Sequence, residues 1–331
     1  MSIGETIPVP SEGVRDRAPF TLPQFGIFAQ GTHAFGIFAQ GTHAHHFLEF
    51  DLKPGVAPEQ AASAFRELRT PDVSAGGVNL VLAFGAGLWR GVAPETSPDD
   101  LGPFQQVIGK DDRGAPATQH DAWLWISGAA PDVTWHSARA AVLAVGDAAS
   151  LATEQEGFTY RGGRDITGCI DGTANPQVRR AAEVAIVPPG RPGAGGSHVL
   201  TMRWVHDLSA FNRLPIEDQQ RVFGRTKSDR QELPAAEKPA TAHISRVQTS
   251  VAGRELEIFR RSVPYGTARE HGLYFVAFSA ARSRYDRMLA RIFGNDPDGL
   301  RDRLTDFSRP VSGAYDFAPS LNALNELAGE D

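Results

Sequence analysis

The sequence predicts an α+β protein built on antiparallel sheets, and two observations support this fold class. The strand segments alternate apolar and polar residues, a pattern that favours antiparallel pairing. The first half of the chain also runs strand, helix, strand, strand, helix, strand, which is the order of a ferredoxin-like unit. With 331 residues the chain can bury a large core and is expected to divide into two domains.

The elements of the first half follow from the spacing of their apolar residues. Strands are predicted at residues 46–52, within 77–89, at 122–126 and at 154–160, and helices at 58–68 and 133–145. A charged connection that contains glycine and proline runs between residues 93 and 117.

The second half looks like a related α+β domain with longer insertions. Its strands are predicted at residues 198–205, 255–260 and 273–279, and its helices at 215–223 and 285–293. The polar stretch 161–165, with paired glycines, suits a connection between domains. We therefore divide the chain into an N-terminal arm (1–44), a first domain that is ferredoxin-like (45–160) and a second, related α+β domain (161–325).

The N-terminal arm contains an identical ten-residue tandem repeat, residues 25–34 and 35–44. A functional repeat would rarely be identical and would rarely occur only twice, so a recent duplication is the better interpretation. His43 at the end of the second copy, with His45 and His46 just after it, has no cysteine or carboxylate partner at ligand spacing. We expect solvated histidines that lead into a strand rather than a metal site.

Composition excludes several classes of function. A net charge of −6 and a pI near 5.9 argue against nucleic acid as a partner. No apolar run approaches the length of a membrane span, and the first residues lack a basic region followed by an apolar stretch, so neither a membrane nor secretion is expected. Cys169 is the single cysteine, which rules out an intramolecular disulfide and fits a reducing cytoplasm.

The most informative segment is residues 168–176, which read GCIDGTANP. Gly172 allows a positive φ and a close approach to the backbone, and Pro176 prevents a helix from starting before it. Asp171 is thus presented on a rigid, irregular turn. Such a carboxylate serves either as a capping group in a surface turn or as a functional group.

Two other interpretations of this segment are weaker. Ile-Asp-Gly-Thr is similar to the phosphoaspartate loop of haloacid-dehalogenase phosphatases, but the nucleophilic carboxylate of that loop is replaced here by Cys169, and residues 160–165 are too polar for its leading strand. Cys169 could be a haem thiolate, yet a small buried packing residue is the better prediction.

Downstream motifs give the segment a context. His243 lies in KPATAHISR and Arg260 in IFRRSVPYG, 72 and 89 residues after Asp171. Together with the phrases GGS at 195–197, GRTK at 224–227 and HGLYF at 271–275, this order resembles the dye-decolorizing peroxidases, haem enzymes with a GxxDG motif, and their bacterial cytoplasmic class in particular. The resemblance is dense from about residue 157 to 324 and thin before that.

The resemblance implies a role for individual residues. It implies two ferredoxin-like domains with haem b bound mainly in the C-terminal one, His243 as the axial ligand of the haem iron and Asp302 as the carboxylate that tunes it. Asp171 and Arg260 match the catalytic pair on the peroxide side. The remaining matches are cofactor-binding residues: Arg225 for a haem propionate, Phe275 for the porphyrin face, and Ser262 where several members of the family have Asn.

The implied activity is reduction of hydrogen peroxide with oxidation of dyes, phenols or similar one-electron donors. Two other classes stay open on the sequence: a haem- or porphyrin-handling protein with secondary peroxidase activity, which does not require Asp171 with Arg260, and a non-catalytic ferredoxin-like dimer module. We expect a cytoplasmic homo-oligomer. The last residues lack the long glycine-rich extension that targets some relatives to encapsulin shells, so encapsulin targeting is not expected.

Overall fold

The computed structural model describes residues 23–24, 27, 42–68, 78–172, 174–251 and 253–327. Nearly all of the predicted tandem repeat lies outside these residues. The strands are β1 (Ala44–Leu52), β2 (Asn79–Gly85), β3 (Val107–Ile108), β4 (Gly114–Ala115), β5 (Ala122–Gly128), β6 (Ala149–Phe158), β7 (Ser197–His206), β8 (Ser250–Val251), β9 (Arg254–Glu255), β10 (Phe259–Arg260), β11 (Val263–Gly266), β12 (His271–Ser279), β13 (Ser308–Pro310) and β14 (Ala314–Ala318).

The helices are distributed over both halves of the chain. They are α1 (Pro58–Arg66), α2 (Ala86–Val92), α3 (Pro131–Ala144), α4 (Val178–Ala185), α5 (Leu208–Asn212), α6 (Ile216–Phe223), α7 (His243–Val247), α8 (Ser283–Ile292) and α9 (Leu321–Glu326). None of the helices in the described part of the chain is long and apolar enough to cross a membrane.

Both halves repeat one strand order, second–third–first–fourth. In the first half this is β2-β5-β1-β6, and in the second half it is β10-β12-β7-β14. Every pair is antiparallel, as the alternating patterns predict. The two halves join where β14 pairs with β2, so the ten strands form one continuous sheet. The α+β class and the two ferredoxin-like units are confirmed.

The sheet curls until its two edges approach each other. A Cβ at Gly157 of β6 would lie 2.6 Å from Cγ1 of Val263 in β11, so glycine allows β6 and β11 to come this close without displacing Val263. The inner face carries a buried aromatic cluster, and its members are Phe47, Trp123, Trp125, Tyr274 and Phe278. The outer face of the second half packs on α8 through Leu200, Met202 and Ala277. Successive side chains of β7 and β12 therefore point alternately into the aromatic cluster on the inner face and towards α8 on the outer face.

Two predictions for local structure are wrong. Residues 255–260 do not form one strand, because β9 ends at Glu255 and β10 begins only at Phe259. His45 and His46 are not solvated: they lie inside β1 and are only 1% and 2% exposed. The strand begins two residues earlier than predicted, which takes both imidazoles into the core.

Candidate functional site

A large cavity of ≈ 380 Å³ lies on the outer face of β7 and β12. Its size falls in the range of about 300–1,000 Å³ that is usual for cofactor and ligand sites. All of its lining residues fall between Asp165 and Ser308, in the second half of the chain. One wall is apolar and is formed by side chains from β7, β12 and α8, namely Met202, Leu273, Phe275, Met288, Leu289 and Ile292.

The 168–176 turn delivers Asp171 to this cavity. Gly168 and Gly172 adopt φ of 86° and 74°, in the left-handed region that glycine tolerates best. Asn175 fixes the turn to β10, because its side-chain amide donates to the Arg260 carbonyl (2.7 Å) and accepts from the Arg260 amide (3.0 Å). Sequence reasoning gave Asn175 no role, since nothing local signals a partner 85 residues away.

Asp171 and Arg260 form an ion pair on the cavity wall. Nη1 of Arg260 donates to Oδ1 of Asp171 at 2.5 Å, and both side chains are less than a fifth exposed. The Gly172 amide donates to the same oxygen at 2.6 Å, which fixes the carboxylate orientation. The pair brings a proton acceptor and a cation together at one point of the cavity.

Strand alternation separates Arg261 from this pair. Arg260 lines the large cavity, whereas Arg261 and Ser262 line a second, water-sized cavity of ≈ 10 Å³ that Asp171 also borders. Burial lowers the pKa of Arg261 to about 10, against the opposing influence of Asp171. Among the described residues, Ser262 is thus not part of the large cavity, and its predicted cofactor contact stays a prediction.

His243 and Asp302 meet on another wall. Helix α7 begins at His243, whose Nδ1 lies 2.6 Å from Oδ2 of Asp302. Asp302 is 1% exposed, and its Oδ1 accepts a hydrogen bond from the Leu304 amide at 2.8 Å. This second contact holds the carboxylate in the orientation that bonds the imidazole. With Nδ1 donating to Asp302, the lone pair of the neutral ring is on Nε2. That nitrogen is available to a metal at the cavity His243 lines.

Arg225 stands among the polar residues of the cavity. Its Nη1 donates to the Arg230 carbonyl at 3.0 Å, and its Nη2 lies 3.4 Å from Oε2 of Glu232. Its Nε is buried and has no hydrogen-bond partner in the described part of the chain. Burial lowers the pKa of Arg225, and Glu232 opposes that effect. A carboxylate that entered the cavity could accept a hydrogen bond from this Nε–H group.

Sequence reasoning missed a second polar cluster in the cavity, built by Asp165, His206 and Ser308. Nε2 of His206 lies 3.2 Å from Oδ2 of Asp165, and Nδ1 lies 2.7 Å from the Ser308 hydroxyl. Only the fold brings these residues together. Cys169 also lines the cavity, but burial raises the pKa of its thiol to about 11, which favours the packing interpretation over a thiolate.

Comparison with known proteins decides the family. The model described as the C-terminal domain of Dyp-type peroxidases matches residues 162–323, and the model of the N-terminal domain matches residues 35–159. The chain belongs to the Dyp-type peroxidase family. The resemblance seen in the motifs is confirmed, and the chain is therefore a peroxidase.

Individual relatives agree with this assignment. The chain is 33% identical over 258 residues to a dye-decolorizing peroxidase of Rhodococcus erythropolis, which covers 77% of this chain and 75% of that protein. A dye-decolorizing peroxidase of Brevibacterium linens is 34% identical over 257 residues, 76% of this chain and 70% of the relative.

Solved structures of Dyp-type peroxidases have the same fold. A dyp-type peroxidase protein of Shewanella oneidensis superposes with a TM-score of 0.85 and 30% identity, over 95% of this chain and all of that one. An arginine-to-leucine variant of DypB from Rhodococcus jostii RHA1, solved in complex with heme, gives a TM-score of 0.81 and 31% identity over 86% of this chain and 94% of that one.

Proposed function

We propose that this Dyp-type peroxidase binds haem b in the large cavity and uses it to reduce hydrogen peroxide while it oxidises dyes, phenols or similar one-electron donors. The observation that carries the proposal is the Asp171–Arg260 pair, which lines the same cavity as the His243–Asp302 pair. A protein that only handles porphyrin needs the histidine, but it does not need a proton acceptor held against an arginine.

The residues of the cavity fit this cofactor. Haem needs only one ligand from the protein, and His243 would offer its Nε2. The apolar wall with Phe275 suits the porphyrin face. The buried Nε of Arg225 suits a propionate, because guanidinium and carboxylate pair in a bidentate geometry.

When bound, haem supplies the redox-active iron, and the protein supplies the proton acceptor and the cation. Asp171 accepts a proton from the first oxygen of hydrogen peroxide and returns it to the second, departing oxygen. Arg260 stabilises the negative charge that develops as the O–O bond breaks. Because Arg260 also holds the Asp171 carboxylate, it keeps the acceptor in place before peroxide arrives.

On the other wall, Asp302 acts through His243. Its carboxylate accepts a hydrogen bond from the Nδ1–H group of His243. This hydrogen bond makes the imidazole a stronger electron donor at Nε2. Its burial keeps water from competing for that hydrogen bond. Asp302 is thus a positioning and tuning residue rather than one that meets peroxide.

The test is to reconstitute the His243→Ala variant with haem and to measure haem binding by its absorbance spectrum. We expect loss of stable haem binding or of the native ferric spectrum, because the axial bond is removed. His271→Ala is the matched control, since His271 is placed on β12 outside the cavity lining and should leave the spectrum unchanged. A normal Soret band in His243→Ala would show that another residue is the iron ligand, and His206 would be the next residue to replace.

The proposal extends to the assembly and location of the enzyme. Helix α3 exposes Val133, Trp135 and Leu143 by 37%, 54% and 66%, and these apolar side chains support a homo-oligomer. The single, buried cysteine supports a cytoplasmic location. Light scattering on wild type and Trp135→Glu tests the first point: a smaller particle for the variant is expected, and a monomeric wild type would contradict it.

A further inference from the structure

Tyr274 is the centre of a buried hydrogen-bond network on the inner face of the sheet. Its hydroxyl donates to Oε1 of Glu49 at 3.1 Å and accepts from Nε1 of Trp123 at 3.1 Å. Its ring stacks on Phe47 with 3.9 Å between centroids and 9° between planes. Tyr274 is 2% exposed and Glu49 is 6% exposed, so both side chains are bonded inside the protein and not to solvent.

The network continues from Glu49 towards the surface. Oε2 of Glu49 lies 3.7 Å from Nε2 of His120, and Nδ1 of His120 lies 2.8 Å from Oδ1 of Asp51, whose side chain is 52% exposed. A phenol in the core is thus linked through a carboxylate and an imidazole to solvent. Burial raises the pKa of Glu49, although the charge of His120 opposes it, and this makes the carboxylate a stronger base than an exposed one.

Tyr274 also belongs to the strand that forms the cavity wall. Its two chain neighbours, Leu273 and Phe275, line the large cavity, while the pleat of β12 turns the phenol to the opposite face. Only the thickness of one sheet separates Tyr274 from the large cavity. Neither Tyr274 nor Glu49 takes part in the proton transfer at Asp171 and Arg260.

The other buried tyrosines differ in what accepts their proton. Tyr265 and Tyr285 donate to the backbone carbonyls of Trp204 and His198, which are poor bases. Tyr315 donates to a carboxylate, Asp286, but it lies on β14, and the cavity lining within the described residues includes no β14 residue. Tyr274 alone in this set combines a carboxylate acceptor with a strand that lines the cavity.

We propose that Tyr274 is a redox-active residue that gives one electron to the peroxide reaction and its phenolic proton to Glu49. The inference rests on the proposed peroxidase function and adds a one-electron donor on the inner face of the sheet. Trp123, bonded to the same phenol oxygen, stabilises the oxidised phenol by its N–H.

The step balances with hydrogen peroxide as the oxidant. One peroxide takes up two electrons and two protons to give two waters, and the protons enter through the cavity from solvent. Tyr274 supplies one of these electrons, and the haem iron would supply the other until an external donor replaces it. The O–H bond of Tyr274 breaks, and its proton moves to Oε1 of Glu49, leaving a neutral phenoxyl radical. When an external donor reduces that radical, Glu49 returns the proton and the phenol is restored.

The test is rapid-freeze EPR of the haem-loaded enzyme after mixing with peroxide in the absence of a donor. Wild type is expected to give a tyrosyl signal, identified by its narrowing in protein made with ring-deuterated tyrosine. Tyr274→Phe should lose the signal. Tyr285→Phe is the matched control, because Tyr285 is fully buried, sits on α8 beside cavity-lining residues and donates to a carbonyl; it should keep the signal.

Glu49→Gln keeps an oxygen acceptor at the same place but cannot take the proton, so the signal should form more slowly and reach a lower yield. A wild-type rate in Glu49→Gln, or a signal that survives Tyr274→Phe or is lost in Tyr315→Phe instead, overturns the inference while the peroxidase function stands. A protein whose absorbance does not respond to peroxide at all overturns both.

Discussion

Nδ1 of His243 lies 2.6 Å from Oδ2 of Asp302, a carboxylate that is 1% exposed and already bonded to the Leu304 amide. The imidazole therefore has a fixed tautomer and a fixed orientation before any cofactor enters. A buried charge is stable only when it is well bonded, and here the bonding partner is the proposed axial ligand. The proposed tuning of the cofactor therefore depends on a residue 59 positions away.

Asp302→Asn should raise the reduction potential of the bound haem and lower the rate constant with peroxide by about 10- to 100-fold, because a neutral amide accepts the Nδ1 proton more weakly than a carboxylate. Spectroelectrochemical titration and stopped-flow absorbance measure the two effects. Asp306→Asn is the control, since Asp306 lies on the same 3₁₀ turn and pairs with Arg301 instead. Equal potentials for Asp302→Asn and wild type would contradict the assignment.

Arg260→Leu should leave haem bound while the rate constant with peroxide falls by roughly 100-fold or more, as expected when a preorganised charge is removed from a reacting centre. Arg260→Lys keeps the charge but loses the planar fork, so an intermediate rate is expected. Stopped-flow mixing with peroxide measures both. If Arg260→Leu reacts as fast as wild type, the cation must be supplied by another residue, and Arg261 is the neighbour to test.

Much of this fold can be predicted from periodicity. The residue pattern predicts a strand at 198–205, where β7 spans Ser197–His206, and a helix at 215–223, where α6 spans Ile216–Phe223. Helix α7 has only five residues, too few for a helical period to show, so the sequence identifies His243 by its motif alone. The pairing of β14 with β2 joins residues more than 200 positions apart, and no local signal specifies it.

The residues of the candidate site also fall into those that local sequence identifies and those that only the fold brings together. Asp171, His243 and Arg260 stand in motifs with recognisable neighbours, so they can be found in the sequence. The contacts that position them cannot, because Asn175 meets Arg260 and His206 meets Ser308 only after the sheet has formed. Ser262 lies two residues after Arg260 but lines the small cavity with Arg261, so its cofactor contact stays a prediction.

Asp316 should make the protein lose stability as pH rises. This carboxyl is 2% exposed, and burial together with the nearby Glu49 raises its pKa from 3.8 to about 8, while a hydrogen bond from Gln119 opposes the shift. The folded state thus holds a proton that the unfolded chain releases. Between pH 3.8 and about 8 the free energy of unfolding should fall by about 1.4 kcal/mol per pH unit from this group.

Asp316→Asn mimics the protonated carboxyl and should remove that pH dependence, so its unfolding free energy should exceed that of wild type by more at alkaline pH than at acidic pH. Chemical denaturation of both proteins at several pH values is the measurement. Parallel stability curves would show that Asp316 carries no proton in the folded state at neutral pH.

Asp171→Asn should lower the rate constant with peroxide less than Arg260→Leu does, and it should flatten the acid limb of the pH–rate profile. The asparagine keeps the size of the side chain and an oxygen for the Gly172 amide, so the turn is preserved while the proton acceptor is removed. Arg260 would still stabilise the departing oxygen, which is why the variant should retain activity. Stopped-flow rates across the acidic range, beside wild type, are the measurement. An acid limb that persists unchanged would assign it to another group and leave Asp171 with the lesser role of holding Arg260 in place.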